Sequence, residues 1–311
     1  MTREDTTRSR VLVTVAELAA DLRLGAGPDP ADGAPVLLDV RWALGMTDGR
    51  ERYLEGHLPD AVYVDLESEL AAEASPEEGR HPLPSASSFQ RSARAWGLRS
   101  SSRVVVYDTV GGTSAARAWW LLRYFGVDDV RILDGGLPAW VRAGYALESG
   151  DVVHAPGDLV ARPGHLPVLD ADDAAELAET GTLLDARAAE RYRGETEPVD
   201  PRAGHVPGAV SAPTTENLRD DGTFLDEESL QGRFADLGLS ATGEAPDAHS
   251  DDADDADDAV LAVGVYCGSG VTASHEIAAL ACAGIPAALY PGSWSQWSND
   301  DTRPVAVGDR P

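Results

Sequence analysis

The sequence predicts an α/β protein of two tandem domains, each a parallel sheet flanked by helices. Three observations carry that expectation. Four signatures occur twice in the same order, the short apolar runs are continuous rather than alternating, and helix-like stretches separate them. In the first half the signatures are VLLDVR (Val36–Arg41), GHLPDAV (Gly56–Val62), RVVVYD (Arg103–Asp108) and ILDGGLPAW (Ile132–Trp140). In the second they are TLLDAR (Thr182–Arg187), GHVPGAV (Gly204–Val210), VGVYC (Val263–Cys267) and LYPGSWSQW (Leu289–Trp297). The separation between copies drifts only from 146 residues (Asp39 to Asp185) to 159 (Tyr107 to Tyr266), so the chain reads as two copies of one domain.

The elements follow from pattern. Val36–Leu38, Val104–Val106, Leu183–Leu184 and Val260–Val265 read as buried strands, because continuous Val and Leu runs suit parallel sheets covered on both faces. Ala115–Phe125, carrying Trp119, Trp120, Leu122 and Tyr124, reads as a helix, and so does Ala273–Cys282, carrying Ile277, Leu280 and Ala281. Strands alternating with helices imply a parallel sheet in each half. Three prolines and three glycines mark Glu148–Pro167 as the connection, which sets the domains at 1–150 and 151–311.

Composition excludes several chemistries. All 25 basic residues are arginine, against 53 acidic residues, and the formal net charge is −28. With no lysine there is no Schiff base and no Walker-type phosphate lysine. Such an acidic chain is unsuited to nucleic acid or to anionic lipid, so neither partner is expected. The acids are spread along the chain, which reads as a solvated, salt-adapted surface rather than a patch for a cationic partner. The run from Asp251 to Asp258, in an acidic stretch of about 244–258, reads as a disordered loop. Two late cysteines, a polar N-terminus and no apolar stretch of membrane-spanning length lead us to expect a soluble cytoplasmic protein.

The segment Val263–Ala273 holds the chemistry. A strand ending at Tyr266 leads into Cys267, Gly268, Ser269, Gly270, Val271 and Thr272, and a helix opens near Ala273. The glycines let successive N–H groups point at one spot, and the helix adds its free amides and positive dipole end. A cysteine at the head of such a cup is expected to be a thiolate, a nucleophile in an anion-binding cradle. Alone, the pattern fits equally a small buried cysteine filling core volume. The repeat favours the first reading: after the matching Tyr107 comes Asp108, so one copy keeps a thiol where the other has none. Cysteine phosphatase chemistry is disfavoured, because the residue six after the cysteine is Ala273 and not an arginine.

From about Val11 to Trp297 the chain resembles the tandem-domain sulfurtransferases of the rhodanese superfamily, and its CGSGVTA loop resembles that of 3-mercaptopyruvate sulfurtransferases. Animal-type thiosulfate rhodaneses carry an Arg-Lys pair after the cysteine, where this chain has Gly268 and Ser269. The resemblance implies two rhodanese-like domains, the first non-catalytic, and double displacement without a cofactor or metal. Cys267 would take sulfur from 3-mercaptopyruvate, a small anionic donor, as a persulfide held by the amides of Gly268, Gly270, Val271 and Thr272. A thiol such as thioredoxin or a small thiol, or cyanide, would then accept it. Two alternatives stand beside this: a thiosulfate:cyanide sulfurtransferase, and a persulfide carrier for thiocofactor or tRNA thiolation.

The resemblance also implies which residues surround the sulfur. Arg191 and Arg202 match arginines that grip the donor carboxylate and carbonyl, although the segment between them is two residues longer than in typical members. Ser269 would join His81 and an acid of the first domain in a proton relay. That acid is Glu67, where the family has Asp, and Asp65 nearby is expected to be structural. Arg187 is expected to order its loop. His57 and His205 recur in both copies and are read as turn residues. Cys282 and the tryptophans of Pro291–Trp297 are read as core, and His275 as exposed.

Overall fold

The computed structural model describes residues 6–23, 33–240 and 262–311. Among these residues, nine short strands form two all-parallel sheets. The first holds β1 (Leu12–Val13), β2 (Val36–Asp39), β3 (Val62–Tyr63), β4 (Val104–Tyr107) and β5 (Val130–Leu133), in the order β1-β5-β4-β2-β3. The second holds β6 (Thr182–Asp185), β7 (Val210–Ser211), β8 (Val263–Tyr266) and β9 (Ala288–Leu289), in the order β7-β6-β8-β9. Register repeats with order: Asp39 pairs with Tyr107, and Asp185 pairs with Tyr266. Val168 bridges Leu289 in parallel, the place that β1 takes beside β5. The central strands β4 and β8 are buried along their length, as continuous apolar runs require.

The helix after β4, Ala115–Tyr124, and the helix after β8, Val271–Cys282, pack against each other and join the two halves. Both are buried almost all round, so neither shows the one-sided apolar stripe of a surface helix. One apolar core runs through both halves. The short helix Thr7–Val11 closes over this junction: Thr7 Oγ1 donates to the Cys282 carbonyl at 3.1 Å, and Arg8 pairs with Asp134 at 2.6 Å.

The connecting segment after Glu148 forms no helix or strand and is strapped to the first half. Gly157 N–H donates to Arg94 O, Leu159 N–H to Leu98 O and Arg162 N–H to Phe125 O, at 2.8–3.1 Å. Two element boundaries differ from expectation. The second long helix opens at Val271, because Gly270 takes a left-handed conformation (φ +78°) that turns the loop directly into the helix. The strand read over Val260–Val265 is Val263–Tyr266, and its first two residues, with the acidic run, lie outside the described residues. No helix among the described residues is long and apolar enough to cross a membrane.

Candidate active site

Cys267 leaves the end of β8 and is fixed on both sides by the turn after β9. Its N–H donates to Ser293 Oγ at 3.2 Å, its carbonyl accepts from Trp294 N–H at 3.0 Å, and the Gly268 carbonyl accepts from Ser295 N–H at 2.9 Å. Ser293 has φ +52°, a strained value for a residue with a side chain. The Gly270 N–H donates to Cys267 Sγ at 3.2 Å. A methyl group on Gly270 would lie 2.8 Å from the Pro291 carbonyl oxygen, so only glycine fits both that approach and the positive φ. Val271 and Thr272 open the helix, and their amides belong to the first turn, which has no intrahelical acceptors.

The first half shows what such a loop holds. There the buried Asp108 carboxylate accepts from the amides of Val110, Gly112, Ser114 and Ala115 at 2.8–3.0 Å. Burial raises this carboxyl's pKa, while the four amides pull it down. The loop after β4 thus closes around an anion of its own chain. The loop after β8 presents a sulfur instead.

Across the junction, three of the expected residues form one hydrogen-bonded chain. Ser269 Oγ lies 2.7 Å from His81 Nδ1, and His81 Nε2 lies 3.1 Å from Glu67 Oε2. Trp42 Nε1 donates to the other Glu67 oxygen at 2.7 Å and steadies it. Burial lowers the His81 pKa, with Glu67 acting in the opposite direction. The imidazole is therefore held neutral, with Nε2–H donating to Glu67 and Nδ1 accepting from Ser269. Asp65 caps the helix Leu66–Glu69 by accepting from Ser68 N–H at 2.9 Å, a structural part as expected.

Arg117 escaped the sequence reading because its helix shows only apolar packing. It is wholly buried and makes no ion pair among the described residues. Its guanidinium donates to the carbonyls of His81 (2.9 Å), Pro82, Leu70 and Gly270 (each 3.3 Å), so it ties the histidine loop to the cysteine loop. Burial lowers its pKa to about 10, and Cys267 acts against that shift. The buried guanidinium is thus close enough to Cys267 to interact with it electrostatically.

The opposite side of the loop is lined by guanidinium groups. A methyl group on Gly268 would lie 2.9 Å from Arg80 Nη2 and 3.3 Å from Arg191 Nη1. Arg191 donates to Glu197 at 2.7 Å and to Asp200 at 3.2 Å, and Arg80 pairs with Asp200. Arg80, Glu197 and Asp200 were not singled out in the sequence. The signal available was adjacency, because Arg80 precedes His81 and the two acids lie in the long segment after Arg191.

Arg202 corrects an expectation. Its guanidinium donates to the carbonyls of Trp297, Ser298, Asp300 and Arg303 at 2.6–2.9 Å, which staples the turn after β9 to the segment before His205. These four carbonyls engage all three guanidinium nitrogens and tie the arginine to the turn after β9. His275 is a second correction. It is wholly buried, accepts or donates at Thr214 Oγ1 (2.6 Å) and the Gly111 carbonyl (3.2 Å), and stacks on Phe224. Its helix is enclosed by both halves, and the share contributed by the first half is not visible in the second half's sequence.

The remaining residues sit as read. His57 and His205 are buried, bond to backbone carbonyls at 2.8–3.1 Å and stack on Tyr53 and Tyr192. Arg187 pairs with Asp185 at 2.5 Å and donates to the Gly204 carbonyl. Trp294 and Trp297 are core residues. Cys282 is buried, and burial pushes its thiol pKa up to about 12.

Comparison with known proteins places the chain in a family. The rhodanese-like domain family matches residues 28–143 and again 170–300. A Mycobacterium tuberculosis protein provisionally named thiosulfate sulfurtransferase SseB is 46% identical over 97% of this chain and 98% of its own length. A Pseudomonas aeruginosa protein provisionally named 3-mercaptopyruvate sulfurtransferase is 45% identical over 97% of this chain and 99% of its own. Among solved structures, SseA from Escherichia coli, described as a 3-mercaptopyruvate sulfotransferase, superposes with a TM-score of 0.73 at 33% identity, over 91% of this chain and 98% of that one. The chain belongs to the rhodanese family and is a tandem-domain sulfurtransferase whose second domain carries the cysteine.

Proposed function

We propose that the protein moves sulfur from 3-mercaptopyruvate to a thiol by way of a persulfide on Cys267, with residues 1–150 as the non-catalytic domain and 151–311 as the catalytic one. The observation that carries the choice of donor is the Ser269–His81–Glu67 chain. Mercaptopyruvate brings a thiol proton, and its carbon fragment leaves as an enolate that needs one. Neutral His81 takes the thiol proton through Ser269 and is steadied as imidazolium by Glu67. The Cys267 thiolate attacks the donor sulfur, the carbon–sulfur bond breaks, and its electron pair becomes the pyruvate enolate. The same proton then returns through Ser269 to the enolate. The Gly270 amide and the buried Arg117 favour the anionic persulfide that remains. An acceptor thiolate attacks the outer sulfur and releases the Cys267 thiolate, so one hard transfer becomes two easier ones.

A second reading is thiosulfate as donor, favoured by the paired guanidiniums over Gly268, which suit a dianion. Thiosulfate leaves as sulfite and has no proton to move, so the relay would be idle. A carrier role needs only the cysteine loop and leaves the relay and both arginines unexplained. Thioredoxin or a small thiol is the proposed acceptor, in a cytoplasmic setting, with neither nucleic acid nor membrane involved. Intact-mass measurement after exposure to each donor tests the reading. Mercaptopyruvate should add one sulfur atom to the wild type and none to Cys267→Ser. Sulfur retained by Cys267→Ser ends the proposal, and faster loading by thiosulfate selects the second reading.

A further inference from the structure

We infer that Arg80, not Arg202, is the second donor-binding guanidinium beside Arg191, and that Asp200 occupies this pair as a stand-in for the donor's anionic group until the donor displaces it. The inference deepens the sulfur-transfer reading and rests on it for the identity of the donor.

Placement is the first argument. The Arg80 loop comes from the first half and is drawn over the cysteine loop at Gly79, where φ is +87° and a methyl group would lie 2.7 Å from the Gly292 carbonyl oxygen. Arg80 N–H donates to Ser295 Oγ at 3.1 Å, and Ser295 N–H holds the Gly268 carbonyl. Arg80 and Arg191 therefore stand together at Gly268, the residue that follows the cysteine. The Arg80 Nε is buried and has no hydrogen-bond partner among the described residues. A guanidinium with an unused buried donor has capacity left for an anion.

The second argument concerns the acids. Asp185 neutralises Arg187, which leaves Arg80 and Arg191 facing Glu197 and Asp200. Two cations against two carboxylates give an anionic donor no net attraction, so one carboxylate has to turn away. Glu197 is fixed: beyond Arg191 and Arg187 it accepts from the amides of Val199 and Asp200 at 3.1 Å. The Asp200 carboxylate bonds only to the two guanidiniums among the described contacts. Burial raises the Asp200 carboxyl pKa, so swinging into water restores solvation it lacks in place. Asp200 is the displaceable group, and a donor carboxylate fits the fork that it vacates.

The test compares alkylation of Cys267 by iodoacetate, which carries a carboxylate, with alkylation by neutral iodoacetamide, the site mapped by mass and the fold checked by thermal melting. Arg80→Gln should lower the iodoacetate-to-iodoacetamide rate ratio about tenfold, and Asp200→Asn should raise it. With mercaptopyruvate the same variants should raise and lower KM, respectively, with kcat changed less than KM. If Arg80→Gln does not fold, Asp200→Asn decides alone. An unchanged ratio in Arg80→Gln, or a lowered ratio in Asp200→Asn, overturns the inference. Because the alkylation arm does not depend on which donor is used, it separates failure of this inference from failure of the sulfur-transfer reading.

Discussion

Glu67 shows how far a single residue can be read from sequence. It is one methylene longer than the aspartate that the resemblance implies there, so its reach to His81 depends on the gap between residues 67 and 81, which the sequence does not give. The structure brings its Oε2 to 3.1 Å from His81, with Trp42 holding the other oxygen. Arg202 shows the opposite case: an arginine in the expected stretch is drawn off by four carbonyls of residues 297–303. Motif position specifies a residue type, but side-chain reach and competing acceptors decide its use. At this scale the relay makes a donor-specific prediction. His81→Gln keeps a hydrogen-bonding side chain but cannot shuttle a proton. It should lower kcat with mercaptopyruvate about a hundredfold and leave thiosulfate turnover within a few-fold. Steady-state kinetics with both donors check this. An equal loss with both would mean that His81 only positions the loop.

At the scale of elements, the duplication was legible because strand, turn and loop signatures recur with little drift. The packing of one copy on the other was not. The helix Val271–Cys282 gives no amphipathic signal, since both halves enclose it, and so His275 reads as a surface residue although it is wholly buried. Burial lowers its pKa to about 4, from an ordinary value of 6.5. Around it lie Arg233, which also opposes its protonation, the stacked ring of Phe224, the hydroxyl of Thr214 and the Gly111 carbonyl. The folded-state pKa is depressed, so His275 adds no penalty above pH 6.5. As pH falls from 6.5 toward 4 the unfolded chain takes up a proton that the folded one refuses, and stability is lost. By pH 5 the loss is about 2 kcal/mol. Urea unfolding of wild type and His275→Gln at pH 7 and pH 5 measures it. The wild type should lose about 2 kcal/mol more than the variant on acidification. Parallel losses would assign the acid sensitivity to other groups.

For the whole molecule, the net charge of −28 was the plainest feature of the sequence, and the site shows how the chain works against it. Arg117 is buried without a counter-ion among the described residues and interacts electrostatically with Cys267, and Arg80 and Arg191 stand at Gly268, the next residue. These cations act within a few ångströms, whereas the acids act at long range through water. An anionic donor therefore meets repulsion on approach and attraction on arrival. The two ranges respond differently to salt. Raising ionic strength from about 10 mM to about 150 mM contracts the Debye length from about 30 Å to about 8 Å, which removes most of the distant repulsion. The buried contacts are screened much less. The kcat/KM for mercaptopyruvate should therefore rise over that range, while alkylation of Cys267 by neutral iodoacetamide stays flat and controls for changes in the fold. A flat or falling kcat/KM alongside flat iodoacetamide reactivity would show that the acidic surface plays no part in donor capture.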